Sequence, residues 1–329
     1  FARARASATA NSTGAAIPGD GCGPGNGDRI LDKSPDRFRI GLAAALVVFT
    51  LVGCVSLPSD NQLLVNRGSG TAARPGADCG DGWQELPGGG GKLEVLDSAG
   101  FSLLSWNAYK GREERWPEDF RSLAAERDLV LLQEAHLTPS FRAALEASGL
   151  RWLMVRAFDY GGSETGVLTA ATVSASAACV KRTAEPLIRI PKSALVTRYG
   201  LSGSADELWV INLHGVNFTM GTAGFGEQLR TLAQVIEAHR GPLILAGDFN
   251  DWNRAREEAL RRFALELGLS DLSFAQDRRS RHLGAAVDHV FYRGLEVLAA
   301  DSVSVESSDH HPILARFRLP YQTRKRGRG

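Results

Sequence analysis

The sequence predicts an α/β domain built in layers, on three observations. Short apolar runs recur at 101–106, 129–132, 151–155, 166–173, 193–198, 208–213, 243–246, 287–292, 295–305 and 313–319. Several are continuous, as in strands covered on both faces. Helical periods fall between them: Leu229, Leu232, Ala233 and Ile236 form one apolar stripe in 225–239, and Leu260, Phe263, Ala264 and Leu267 form another in 257–267. Helices of that kind cover sheets. The composition is 43% hydrophobic and 23% charged, enough for a packed core. No short internal period is visible, which argues against a solenoid.

The chain has 329 residues, with 38 Lys plus Arg against 37 Asp plus Glu. Its net charge of +1 excludes a basic coat for nucleic acid, while leaving room for a local basic groove. Cys22, Cys54, Cys79 and Cys179 make no CxxC pair, which argues against a zinc ribbon or redox motif.

Residues 1–36 are rich in Ala, Arg, Gly, Ser and Pro, a composition that builds no core; they read as disordered or as a non-genuine extension. Arg37-Phe38-Arg39 then leads into an apolar run at 40–52, too short to span a bilayer comfortably and suited to a signal peptide. The run ends Leu51-Val52-Gly53-Cys54, which resembles a bacterial lipobox with Cys54 as the lipidated residue. That reading expects a membrane-anchored lipoprotein on the periplasmic side, the outer membrane being favoured because Val55 follows the Cys; an accidental lipobox would leave the protein cytoplasmic. Residues 55–94, rich in Gly, Pro, Ser and Asn, read as a flexible tether. The expected domain is 95–319, followed by a basic tail at 320–329. Spacing leaves open whether Cys79 and Cys179 pair.

The functional signal lies where the strands end. Trp106 is followed by Asn107, Gln133 by Glu134, and Leu213 by His214 with Asn217 three residues on. Gly247 leads into Asp248-Phe249-Asn250, Val287 into Asp288-His289, and Ser308 into Asp309-His310-His311. One such residue is an ordinary turn former; the ordered set would line one rim with carboxylates, amides and imidazoles.

That set resembles the endonuclease/exonuclease/phosphatase superfamily, of exonuclease III and deoxyribonuclease I type, over about residues 100–319. Trp106 to Lys110, Lys192 to Thr197 and His289 to Leu295 look closest to an uncharacterised bacterial branch. The resemblance implies a four-layer αββα sandwich, with two mixed β-sheets face to face and helices outside. It implies a divalent-metal-dependent phosphoester hydrolase, with a nuclease cleaving nucleic-acid phosphodiesters as the leading expectation. The alternatives are a phosphatase or phospholipase C-like enzyme acting on inositol phosphates or phospholipids, and an inactive lipoprotein that only binds. A monomer is expected.

By the same resemblance Glu134, Asn107 and Asp309 hold the metal. Their all-oxygen donor set favours Mg²⁺ or Mn²⁺. Asp248 orients or deprotonates the attacking water, Asn250 and Asn217 bind phosphate oxygens, and His214 contacts phosphate. Asp288 supports His310, whose role as acid, base or charge stabiliser stays open. Arg278, Arg279 and Arg281 form a candidate basic loop for substrate phosphate, and Trp252 a candidate stacking platform.

Overall fold

The computed structural model describes residues 55–66, 70–86, 94–185, 189–217 and 221–320. Cys54, the apolar run before it and the basic tail after Pro320 lie outside them.

The strands are β1 (Val55–Ser56), β2 (Gln62–Asn66), β3 (Thr71–Pro75), β4 (Gln84–Glu85), β5 (Phe101–Asn107), β6 (Leu129–His136), β7 (Arg151–Tyr160), β8 (Ser163–Ala171) and β9 (Ala177–Ala184). They continue as β10 (Pro191–Gly200), β11 (Glu207–His214), β12 (Leu243–Asp248), β13 (Ser270–Asp271), β14 (Arg281–His282), β15 (Ala285–Ala286), β16 (Asp288–Arg293), β17 (Glu296–Ser302) and β18 (Ile313–Arg318). The α-helices are α1 (Trp116–Ala124), α2 (Pro139–Ser148), α3 (Ala223–Glu237) and α4 (Arg254–Glu266).

One sheet runs β17-β18-β5-β6-β8-β7-β2-β3, with β1 added to β7; the other runs β13-β16-β12-β11-β10-β9-β4. Their inner faces bury Phe101, Leu131, Val155, Val210, Ile244 and Phe317 against one another. Helices α1 and α2 cover the outside of the first sheet through Trp116, Phe120, Phe141 and Leu145. Helices α3 and α4 cover the second through Leu229, Leu232, Ile236, Leu260 and Phe263. This is the four-layer αββα sandwich.

Local chemistry sets the helix starts. Thr138 caps α2 by accepting from the Phe141 amide at 3.2 Å, and Asn253 caps α4 by accepting from Arg256 N at 3.0 Å. Such caps contribute about 1 kcal/mol each. In α1, Pro117 stands in the first turn with Glu118 and Asp119, where a missing N–H costs nothing and negative charge meets the helix dipole.

The described part of the expected tether is folded. Residues 55–66 and 70–86 contribute strands to both sheets: β2 pairs with β7 and buries Leu63, Leu64 and Val65, while β4 pairs with β9. The domain therefore begins by Val55 rather than near 95. Short strands with polar neighbours hide in a composition that resembles coil. A disulfide between Cys79 and Cys179, separated by 100 residues, ties this segment to β9.

Two outcomes test this segment. Replacing both cysteines by serine should lower the unfolding free energy in urea by about 2–4 kcal/mol, because the covalent loop is long. Leu64→Ala should cost about 2–4 kcal/mol as a buried cavity; a loss below about 0.5 kcal/mol, the range of surface substitutions, would mean the segment is not packed.

Candidate active site

Strand direction gathers the polar residues at one rim. Strands β5 and β6 are parallel, as are β11 and β12, so Asn107, Glu134, His214 and Asp248 arrive together at carboxyl ends. Strand β16 runs antiparallel to β12 with Asp288 directly opposite Asp248. Strand β18 runs antiparallel to β5, so the loop before Ile313 returns Asp309 and His310 to the same rim. Trp106 Nε1 donates to the His310 carbonyl at 2.9 Å, and Ser308 Oγ to the Asn107 carbonyl at 2.7 Å. These bonds fix that loop.

Two backbone features shape the rim. The β6–β8 register shifts between Leu132 and Ala135, and Glu134 sits there with φ of 50°. A left-handed conformation costs a non-glycine residue free energy and occurs chiefly where surrounding structure enforces it. Gly247 has φ of 144°, and a Cβ there would lie 1.9 Å from the Leu213 carbonyl oxygen. Close approach of β11, rather than a turn alone, is what requires glycine.

The cleft has a volume of about 370 Å³ and is lined by Glu134, His214, Asp248, Asn250, Asp309 and His310, with Lys110, Lys192, Asn217 and Arg281 beside them. Asn107 Nδ2 donates to Asp248 Oδ2 at 3.0 Å. Asp248 Oδ2 lies 3.6 Å from His214 Nε2 and 3.9 Å from His310 Nε2. The other nitrogen of His310, Nδ1, contacts Asp288 Oδ2 at 2.7 Å. Asn250 Nδ2 donates to the Gly215 carbonyl at 3.1 Å, and the Asn250 amide to Asp248 Oδ1 at 3.0 Å.

Burial raises the Asp248 carboxyl; His310 opposes the rise and Asp288 adds to it, leaving the group at about 6. Burial would depress His310, but Asp288 and Asp248 outweigh it and push the ring up to about 10. At neutral pH the cleft thus holds an imidazolium beside a carboxylate that readily takes a proton. Burial also raises Glu134, yet Lys110 and Lys192 overcome it and hold the carboxyl below its usual value. Burial raises Asp309, and the nearby Glu134 charge adds to the effect.

Two groups of residues could hold a cation. Asp248, Asp288 and His310 present donor atoms within 4.8 Å of one another. Their short Asp288–His310 contact and the charge on the ring make this set a hydrogen-bonded dyad, since a metal-bound imidazole must offer a lone pair. The second set is Glu134 with Asp309 and Asn107. It offers hard oxygen donors, and its two carboxylates raise each other's cost of ionisation, which a dication relieves. Lys110 supplies positive charge there through an ion pair with Glu134.

Lys192, not singled out in the sequence, is a principal cation of the site. Its Nζ lies 2.6 Å from His214 Nε2. Burial, then Lys192 and Lys110, hold His214 well below its usual value, so the neutral ring accepts from Lys192. That leaves His214 a less direct phosphate contact than the resemblance implies. Arg256 is the second addition. Fully buried, it donates to the carbonyls of Val216, Asn250 and Asn217 at 2.9, 2.6 and 3.1 Å, fixing the segments that carry both asparagines.

The basic loop is divided. Arg281 reaches the cleft while pairing with Asp277 at 3.0 Å. Arg279 pairs with Asp277 at 3.0 Å and donates to the Asp288 carbonyl at 2.9 Å, behind the dyad. Arg278 pairs with Asp301 at 3.2 Å. Trp252 donates to Asn217 Oδ1 at 2.9 Å, which commits that acceptor and leaves the Asn217 amide nitrogen for a phosphate oxygen. His289 is structural: burial would lower it, but Asp251 and Asp271 push it up to about 9.

A profile of the Endonuclease/Exonuclease/phosphatase family matches residues 104–310. The chain belongs to that family. It is 42% identical over 228 residues to a UPF0294 protein of Vibrio cholerae, covering 69% of this chain and 81% of that one. A UPF0294 protein of Vibrio campbellii is 36% identical over 286 residues, covering 84% and 98%. Among solved structures, the endonuclease/exonuclease/phosphatase from Bacteroides vulgatus superposes with a TM-score of 0.54 at 16% identity, covering 68% of this chain and 100% of that one. The protein of that description from Beutenbergia cavernae gives 0.52 at 19% identity, covering 67% and 72%. These two share the fold. Family membership makes the chain a phosphoester hydrolase by class, and enzymes of the endonuclease/exonuclease/phosphatase family typically use divalent metals.

Two titrations test the electrostatics. Asp288→Asn should move the His310 titration, followed by NMR, down from about 10; an unchanged midpoint would remove Asp288 as its cause. For His289 the folded value of about 9 lies above the ordinary 6.5. Its charged form therefore contributes stability fully below pH 6.5 and loses it as pH rises through 9. His289→Gln should destabilise at pH 6 and lose that penalty by pH 9.5, measured by urea unfolding at each pH.

Proposed function

We propose that the protein hydrolyses a phosphodiester by metal-assisted attack of water in this cleft. The observation that carries the proposal is the Asp288–His310–Asp248 arrangement: a charged imidazole held by one carboxylate and facing another poised near neutrality.

Asp248, positioned by Asn107, takes a proton from the attacking water. The water oxygen bonds to phosphorus as the ester P–O bond breaks, and solvent protonates the leaving oxygen. His310 directs its Nε2–H towards the charge growing on the phosphoryl oxygens, while Asp288 keeps the ring oriented and protonated. Asn217, Lys192 and Arg281 supply further donors at the cleft wall. Mg²⁺ or Mn²⁺ held by Glu134, Asp309 and Asn107 would supply the Lewis-acid charge that polarises the phosphoryl group.

A nucleic-acid strand remains the family-derived substrate reading, carried by the cationic cleft residues. The loop arginines and Trp252, however, have partners within the protein. A phospholipid-type ester is the second reading, favoured by an apolar cavity that opens beside the cleft. Membrane attachment through Cys54 and a monomeric state complete the proposal.

With bis-p-nitrophenyl phosphate, Asp248→Ala and His310→Ala should each lower turnover at least ~100-fold while leaving the circular dichroism spectrum intact. Near-normal rates in both would sink the assignment. EDTA should abolish activity and Mg²⁺ or Mn²⁺ restore it. Cys54→Ala should move the protein from the membrane to the soluble fraction; unchanged fractionation would refute the anchor.

A further inference from the structure

A cavity of about 270 Å³ adjoins the catalytic cleft and shares Lys110, Glu134, Lys192 and His214 with it. Its volume approaches the range of about 300–1,000 Å³ typical of ligand pockets. Away from those shared residues the wall is hydrocarbon and aromatic ring: Val55 of β1, Phe158 and Tyr160 of β7, Val167 of β8, and Ile190 and Pro191 where β10 begins. Thr165 and Ser193 also border it; their hydroxyl oxygens are buried without a hydrogen-bond partner and present no accessible surface to the cavity. Among the described residues, the Tyr160 hydroxyl is the remaining polar side-chain atom of that wall. All the charge therefore lies at the end where phosphate would sit.

We propose that this cavity holds a saturated hydrocarbon chain esterified to the phosphate in the cleft, so that the substrate is a lipid phosphoester. The proposal rests on the phosphoester-hydrolase reading above. A nucleobase would carry several edge donors and acceptors into a wall whose accessible side chains offer only the Tyr160 hydroxyl among the described residues, and such groups disfavour burial unpaired. A hydrocarbon chain carries none and gains from leaving water.

The N-terminal segment supplies an independent argument. Val55 pairs with Tyr160 and Ser56 with Asp159, so β1 forms part of the cavity's edge. Adjacent Cα atoms lie about 3.8 Å apart across a trans peptide. Lipidation of Cys54 would consequently hold the cavity edge one residue from a bilayer, where chain-bearing phosphates are concentrated. A long flexible tether would impose no such placement.

The test uses the full-length chain with Mg²⁺ and p-nitrophenyl phosphodiesters whose second ester is methyl, butyl, octyl or thymidine. Hydrolysis releases p-nitrophenolate and leaves the alkyl or nucleoside phosphate. From methyl to octyl, kcat/KM should rise at least ~10-fold, within a ceiling of about fourfold per fully buried methylene. Ile190→Asp and Phe158→Ser, both at half-buried positions, should flatten the chain-length dependence and leave the methyl ester within about twofold of the unaltered protein, the small effect expected away from reacting groups. Equal rates for methyl and octyl esters would overturn the proposal, as would preference for the thymidine ester, which would make the occupant a base. If no ester is turned over, the hydrolase reading fails separately. Calorimetry with methyl and octyl phosphonate then decides the cavity: tighter octyl binding, lost in Ile190→Asp, sustains it, and equal binding overturns it.

Discussion

The site depends on a polar seam between two sheets that are otherwise joined by hydrocarbon. Asn107 on one sheet donates to Asp248 on the other at 3.0 Å, and Gln133 donates across the same gap to Asn212 at 2.7 Å. Asn212 in turn donates to the Leu132 and Leu168 carbonyls at 3.2 and 2.8 Å. All three side-chain amides are buried, where an unmade hydrogen bond is costly, so alternative offsets of the sheets are penalised. The apolar interface alone would tolerate some sliding, because dispersion and burial are weakly directional. The seam fixes the offset, and that offset brings Asp248, its partners and the candidate metal ligands to one cleft.

Charge then separates the roles of chemically similar groups. Asp248 and Asp288 face each other across β12 and β16, and the ring of His310 contacts both. Asp288 contacts the nearer nitrogen and serves as the counter-ion. Asp248 remains beside the outward nitrogen and lies in the cleft wall. His214 shows the opposite treatment: the same residue type, placed beside Lys192, stays neutral. Burial disfavours charge on both imidazoles; Asp288 and Asp248 overcome it at His310, whereas Lys192 and Lys110 add to it at His214.

Much of this was legible in the sequence because strands covered on both faces leave long apolar runs. The runs at 101–106 and 243–246 identify β5 and β12, although both strands continue into the polar residues that serve the site. The sequence does not mark strand β9: Lys181, Arg182 and Thr183 break its apolar run, and pairing on both sides makes it a strand. The ordered residues from Asn107 to His310 stood out because several functional types recur at strand ends. Lys192 and Arg256 did not, since a cation in a strand or the first turn of a helix ordinarily faces water. Their burial follows from contacts made at long sequence separation, with His214 and with the carbonyls of Val216 and Asn217.

The N-terminal segment joins these two lessons. Composition made residues 55–94 look like coil, yet Leu63, Leu64 and Val65 occupy the core and Cys79 is bonded to β9. An edge strand needs few apolar residues when an existing sheet supplies its hydrogen-bond partners and a disulfide limits the unfolded alternatives. Once paired, the segment has a fixed position, and Val55 becomes part of a cavity wall beside the cleft. With the proposed anchor on Cys54, this stretch would set the orientation of the domain to the membrane and not only its distance from it. Folding this segment therefore converts a question of tether length into one of substrate geometry.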